Sequence, residues 1–177
     1  MSKVTPDHHD ADLLLKVYDL RRETVMRESR SAIAAQFWPK TYDDVLAVVQ
    51  GGHPLNAAWR QTTSYWEMVY NMARQGIVHA EYFVEGNGEG LLLFAKIEPY
   101  LKQFRDQFSP TAFRNTEWAA TETQIGREIM GRFRSRLVMM RKMMEEAMAA
   151  KGKTGAAKPA AKTAGKATGK AAGKRKR

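Results

Sequence analysis

The sequence predicts an all-α protein, a bundle of five or six helices followed by a disordered basic C-terminal tail. Apolar residues recur every three or four positions through most of residues 1–150, which is the period of an amphipathic helix. Glycine and proline interrupt that period at intervals suited to helix ends. From Lys151 onward the period disappears and lysine, alanine and glycine dominate. We therefore expect a helical domain over residues 1–150 and a tail over residues 151–177.

The first two helices have recognisable beginnings. Asp10 or Asp12 can cap a helix that runs to about Gln36, because a side-chain oxygen can accept from the free N–H groups of a first turn. The stretch Thr41–Asp44 has the spacing of a capping box. It predicts a second helix that ends near Val49.

Proline and glycine delimit the middle helices. Pro54 suits a first helical turn, and Gly76 suits a helix end. Residues 77–85 fit either a helical turn or a short strand, and we predict a helix. The glycine-rich stretch at residues 86–90 lacks the lysine of a phosphate-binding loop, so it predicts a turn before a helix that kinks at Pro99.

The longest predicted helix runs from about Thr116 to Ala150. Its apolar residues alternate spacings of three and four, as a heptad seam does. They are Met130, Phe133, Leu137, Met140, Met144 and Ala147, with Met143 and Met148 nearby. Packing within the bundle is the favoured interpretation of this seam. The alternative is a Met-rich face for a homo-oligomer or another partner.

Charge is distributed unevenly along the 177 residues. The chain has 29 basic and 19 acidic residues, a net charge of +10. Ten basic residues and no acidic residue lie in the tail, so the other basic residues balance the acidic ones. The high isoelectric point therefore belongs to the tail, and residues 1–150 are formally neutral.

The tail predicts nucleic-acid binding. Cations on a disordered chain displace counterions from a phosphate backbone without a defined fold or base sequence. We expect this binding to be non-specific and salt-sensitive. A solubilising role, or binding to anionic membranes or polyphosphate, stays open. The predicted contacts are Lys151, Lys153, Lys158, Lys162, Lys166, Lys170, Lys174, Arg175, Lys176 and Arg177.

Three arginines of the last predicted helix could extend this surface. Arg127, Arg134 and Arg141 are seven residues apart and would line one side of the helix. Against this, Glu128 precedes Arg132 by four residues and Glu145 follows Arg141 by four. An ordinary salt-bridged solvent face is therefore the favoured interpretation.

A buried ion pair is predicted in the bundle. Arg22 lies beside the apolar side of the first helix, so its guanidinium needs a carboxylate or solvent. Glu67 and Glu98 lie at the margins of apolar stripes and are the candidate partners. Neither has a nucleophile or metal ligand near it in a recognisable motif, which favours a structural role over a catalytic one.

The sequence predicts no metal, cofactor or catalytic residue. The absence of cysteine excludes disulfides and thiolate sites, and it leaves His79-Ala80-Glu81 without the cysteines that a zinc deaminase needs. His8 and His9 stand in a polar leader that we expect to be solvated. That leader has no apolar signal core, and no aliphatic run could span a bilayer, so we expect a cytoplasmic location.

Two resemblances add to this interpretation. The alanine and lysine spacing of residues 158–163 and 171–174 resembles the C-terminal tails of linker histones and of some bacterial nucleoid proteins. Residues 10–110 resemble a group of small helical bacterial proteins of unknown function. The stretches that carry this second resemblance are residues 17–23, 37–40, 63–68, 87–92 and 96–100. It implies a helical body and a bacterial origin, and it implies no activity.

Our leading hypothesis is a non-enzymatic, cytoplasmic protein that associates with nucleic acid through its tail, with the nucleoid as one location open to it. A helical interaction or dimerisation module with a solubilising tail is the first alternative. An enzyme with an unrecognised site is the second. A pocket that gathered Arg22, Glu67 and Glu98 would favour the enzyme.

Overall fold

A computed structural model of the chain describes residues 3–155. This part of the chain forms nine α-helices and no strand, which confirms the all-α prediction. The helices are α1 His8–Arg22, α2 Thr24–Gln36, α3 Tyr42–Val49, α4 Asn56–Arg74, α5 Ala80–Gly86, α6 Glu89–Ile97, α7 Leu101–Gln107, α8 Arg114–Glu122 and α9 Gln124–Gly155, and a 3-10 turn, Glu98–Tyr100, joins α6 to α7. The prediction of a disordered tail covers residues 151–177, of which residues 151–155 belong to α9 and residues 156–177 lie outside the described residues.

The helices are more finely divided than the sequence pattern predicts. The first predicted helix is α1 and α2, which separate at Glu23, where the carboxylate accepts from the N–H of Met26 at 3.0 Å. The last predicted helix is α8 and α9, which separate at Thr123 in extended conformation. Helix α9 continues to Gly155, beyond the predicted end at Ala150.

Helix α1 also begins earlier than predicted. Its cap is Asp7, which forms a reciprocal capping box with Asp10, so neither Asp10 nor Asp12 is the N-cap. Asp10 is fully buried, and its carboxylate also accepts from the N–H of His79 at 3.0 Å and pairs with Lys3 at 3.0 Å. Burial alone would raise the pKa of Asp10, but its hydrogen bonds outweigh burial and lower that pKa.

Helix α4 lies at the centre of the fold and packs most extensively against α2 and α8. Two of its tyrosines bury their hydroxyl groups. Tyr65 donates to the carbonyl of Val17 at 2.6 Å, and Tyr70 donates to the carbonyl of Asn87 at 2.7 Å. Burial raises the pKa of Tyr65 to about 12 and that of Tyr70 well above its usual value. Both therefore act as hydrogen-bond donors that tie α4 to other segments.

The chain divides into two compact units, Met1–Met140 and Arg141–Arg177. In the first unit the predicted seam is largely internal, because Met130 is fully buried and Leu137 is 5% exposed. In the second unit Met143, Met144 and Met148 are all exposed. No helix within residues 3–155 combines the length and the hydropathy that a bilayer crossing requires.

Candidate functional site

The structure does not bring the three predicted ion-pair residues together. Arg22 is exposed, and its guanidinium lies 5.6 Å from the ring centre of Tyr18. Glu98 instead pairs with Arg134 through two hydrogen bonds, Nε to Oε2 at 2.9 Å and Nη2 to Oε1 at 2.5 Å. Arg22, Glu67 and Glu98 therefore have separate partners, and no hydrogen bond or ion pair of the described residues joins any two of them.

Glu67 caps a helix from a distance. Its carboxylate accepts from the N–H of Asn115 at 3.2 Å, the N–H of Thr116 at 2.8 Å and the hydroxyl of Thr116 at 2.6 Å. These donors belong to the first turn of α8. Phe113, which precedes α8 in left-handed conformation, gives that helix no side-chain cap. A glutamate of α4 therefore supplies the oxygen that the local sequence lacks.

His79 and Glu81, the two residues of the incomplete zinc-deaminase pattern, also cap helices. Nδ1 of His79 accepts from the N–H of Tyr82 at 3.2 Å and so caps α5. The carboxylate of Glu81 accepts from the N–H groups of Gln124 and Ile125, at 2.8 and 2.9 Å, and caps α9. Both side chains therefore cap a helix, and Glu81 also joins α5 to α9.

The predicted line of arginines on α9 is not a row of free cations. Arg127 donates through Nη1 to the carbonyl of Thr121 at 2.7 Å. Arg134 is held by Glu98, and those hydrogen bonds raise the pKa of Arg134. Arg141 belongs to the second unit. Of the predicted tail contacts, Lys151 and Lys153 lie in the last turns of α9, and the remainder lie outside the described residues.

Other arginines line an open cleft in the first unit. This arginine cleft has a volume of about 460 Å³, and its wall includes Arg21 of α1, Arg132 and Arg136 of α9, and the turn that contains Gly86 and Gly88. Glu85 and Glu89 are its acidic residues. We take it as the candidate functional site, because cations from two separate helices converge on one concave surface.

The glycine turn anchors this cleft. A Cβ atom at Gly86 would lie 2.7 Å from Leu14, and one at Gly88 would lie 2.9 Å from Ile129. The turn can therefore lie close to both α1 and α9 because it has no side chains at these positions. Asn87 between them is buried, and its carbonyl accepts the hydroxyl of Tyr70. These contacts hold the N-terminus of α6 at the edge of the cleft.

Glu89 is already neutralised by arginine. Arg30 donates to both of its carboxylate oxygens, with Nε to Oε1 at 2.8 Å, and Nη1 of Arg21 lies 3.8 Å from Oε2. Arg30 also donates to the carbonyl of Arg21 at 3.1 Å. Together with the two arginines of α9, four guanidinium groups meet only two carboxylates here. The local charge is therefore positive.

The side chains of Arg132 and Arg136 make no hydrogen bond or ion pair within the described residues. The pair expected between Glu128 and Arg132 is not formed, since Glu128 accepts instead from the side chain of Gln124 at 3.1 Å. Residues four apart share one helix face, so these two like charges repel each other unless an anion lies between them. Sequence reasoning missed both, although their spacing was a visible signal.

The cleft is chemically suited to an oxyanion. Guanidinium groups present forked N–H donors that match phosphate or carboxylate oxygens. The beginning of α6 adds the positive end of a helix dipole. Within the described part of the chain, no group of three acidic or histidine side chains could hold a metal ion.

Comparison with known proteins identifies one family. Residues 6–123 match the family described as a domain of unknown function, DUF4760. The match covers most of the first unit, including the glycine turn and Arg21, and it stops before Arg132. No curated protein and no solved structure matches the chain.

Proposed function

The chain belongs to the DUF4760 family, and we propose that it binds nucleic acid without reading the base sequence. One observation carries this proposal: ten cations and no acidic residue lie within residues 151–177, while the rest of the chain is formally neutral. Each cation that neutralises a phosphate releases a counterion, and this gain needs no particular base. The tail supplies most of the affinity.

The arginine cleft supports the proposal from the folded part of the chain. Arg132 and Arg136 have no carboxylate partner there, so a phosphate gains two charge-assisted donors without breaking an existing pair. Glu85 opposes this binding, because it lines the same cleft as an exposed carboxylate. Removing the guanidinium groups of Arg132 and Arg136 should therefore lower the affinity for nucleic acid, whereas removing the charge of Glu85 should raise it.

The test is the affinity for a duplex oligonucleotide at low salt, measured by fluorescence anisotropy. Replacing the ten tail cations with glutamine in the full chain removes most of the binding. The double substitution Arg132→Ala and Arg136→Ala weakens the affinity further, by about tenfold. This value assumes two phosphate contacts that each contribute roughly 0.7 kcal/mol. Glu85→Gln strengthens it.

A matched control removes two exposed arginines elsewhere in the fold, Arg27 and Arg114. That double variant carries the same net charge as the cleft variant but leaves the cleft intact. Equal losses of affinity in both double variants would show that the cleft arginines act only through the general charge of the protein. Undiminished binding after the tail is neutralised would contradict the main proposal. Repeating the titration with anionic vesicles and with polyphosphate tests the other polyanions.

Exposed methionines support self-association as a second candidate function. Met143, Met144 and Met148 of the second unit are 61%, 41% and 66% exposed. Methionine side chains adapt to varied partner surfaces. Sedimentation equilibrium of the full chain and of the triple glutamine variant tests this function. Self-association that the variant abolishes supports it, and a monomer at all concentrations rules it out.

A further inference from the structure

The first unit contains a second cavity, which shares no lining residue with the arginine cleft. This aromatic pocket has a volume of about 570 Å³ and is walled by Trp59 of α4, Phe104 of α7, and Phe108 and Phe113 from the segment after α7. Its volume lies within the range of about 300–1,000 Å³ that is usual for small-molecule sites. Its wall is mainly apolar.

Packed aromatic rings form the back of the pocket. Phe113 adopts φ of +56°, the left-handed region that residues with a side chain disfavour. Its ring nevertheless packs 5.8 Å from Trp59 and 6.2 Å from Phe104, measured between ring centres. Burial among these rings offsets the unfavourable backbone. A strained residue that lines a cavity is a common feature of binding sites.

The rim of the aromatic pocket exposes apolar surface to solvent. Phe108 is 57% exposed, although its ring lies 5.2 Å from that of Phe104. An apolar group inserted beside Phe108 would cover this surface and gain the hydrophobic free energy of its burial. The pocket therefore favours a ligand with an apolar body.

Two hydrogen-bond donors in the wall have no acceptor. Arg60 is exposed and makes no ion pair or hydrogen bond through its side chain within residues 3–155. The indole N–H of Trp59 likewise has no acceptor there, and it is not fully enclosed, because every fully enclosed side-chain nitrogen or oxygen of the described residues has a partner. Both groups suit a ligand that carries oxygen atoms and a negative charge.

The acidic residue of the pocket does not oppose such a ligand strongly. Glu67 lies seven residues after Arg60 in α4, which separates the two positions by about 10 Å along the helix. Its carboxylate is also saturated by three donors from α8. The end of the pocket near Arg60 is therefore positive, and the carboxylate farther along α4 is already engaged by its donors.

We propose that the aromatic pocket binds a small apolar carboxylate. The apolar body packs against Phe104 and Phe108, and the carboxylate accepts from Arg60, with the indole N–H of Trp59 as a further donor. An aryl or short acyl acid has the required chemistry. This site is independent of the nucleic-acid proposal, because it uses none of the same residues.

The test is calorimetric titration of the full chain with 2-naphthoate, compared with neutral 2-naphthalenemethanol, at about 150 mM salt to screen the tail. We expect saturable binding of the acid that is about tenfold tighter than that of the alcohol, as expected for one charge-assisted contact. Arg60→Gln removes this difference and leaves the alcohol unaffected. Phe108→Ala weakens both ligands. Both positions are exposed, so both variants should fold.

Arg27→Gln, which removes an exposed guanidinium that lines neither the aromatic pocket nor the arginine cleft, is the matched control and should bind both ligands like the unaltered chain. Absence of saturable binding by the full chain would overturn the proposal. Binding of 2-naphthoate that is insensitive to both Arg60→Gln and Phe108→Ala would also overturn it, because the probe would then occupy another site. Equal affinity for acid and alcohol would overturn the assignment of a carboxylate.

Discussion

Removing the carboxylate of Glu67 should destabilise the fold by disconnecting α4 from α8. In Glu67→Ala, the N–H groups of Asn115 and Thr116 and the hydroxyl of Thr116 lose their acceptor. Thr116 is only 2% exposed, so water cannot readily replace the lost bonds. The substitution therefore tests whether the remote cap holds α8 in place.

The expected decrease in the free energy of unfolding is the sum of two contributions. Loss of an N-cap costs about 1 kcal/mol, and an unsatisfied buried donor adds about 1–3 kcal/mol. We expect a total of about 2–4 kcal/mol for Glu67→Ala. Glu67→Gln keeps one acceptor oxygen and loses the charge at the helix N-terminus, so it should cost about 1 kcal/mol.

The assay is urea unfolding followed by circular dichroism. Glu28→Ala is the control, because Glu28 is an exposed glutamate of α2 whose side chain makes no hydrogen bond in the described structure. It should change the free energy of unfolding by less than about 0.5 kcal/mol. A cost for Glu67→Ala no larger than that of Glu28→Ala would show that the cap contributes nothing.

Three further predictions concern buried groups. Leu137→Asp should cost about 3–5 kcal/mol in urea unfolding because Leu137 is buried, whereas Val138→Asp at its 70% exposed neighbour should cost less than about 0.5 kcal/mol. Tyr70→Phe should cost about 1 kcal/mol, since the buried carbonyl of Asn87 loses the hydroxyl donor and keeps only the longer bond from the N–H of Gly90 at 3.4 Å. The pKa of Asp10 is lowered in the fold, so its carboxylate stabilises the protein above about pH 4 and this stabilisation is lost as pH falls below that value. Thermal melts should accordingly show a melting temperature for Asp10→Asn well below that of the unaltered chain at pH 7, and the difference should shrink as pH falls below about 4. A difference that does not change with pH would contradict this prediction.

The sequence predicted those features of the fold that depend on neighbouring residues. The box between Thr41 and Asp44 forms as predicted, and α3 ends at Val49. Periodicity also identified the helical class, because burial of one helix face imposes a repeat of three to four residues. It missed the break at Thr123, whose hydroxyl donates to the carbonyl of Ala119 and accepts from the N–H of Gly126. Gly126 permits this close approach, since a Cβ atom there would lie 1.8 Å from the carbonyl oxygen of Ala119.

Features that join distant segments were not predictable in this way. Glu67 caps a helix that begins 47 positions later, and Glu98 pairs with Arg134 across 36 positions. No local pattern specifies such partners. The same limit applies to the arginine cleft, since the spacing of Arg132 and Arg136 was visible but their approach to Arg21 depends on how α1 and α9 pack against the glycine turn.

The salt dependence of nucleic-acid binding tests the central claim most directly. With six to ten phosphate contacts, log affinity of the full chain should fall with log salt at a slope of roughly −5 to −9. With the ten tail cations replaced by glutamine, the two free arginines of the cleft should leave a slope no steeper than about −2. A slope and an affinity that survive neutralisation of the tail would contradict the account.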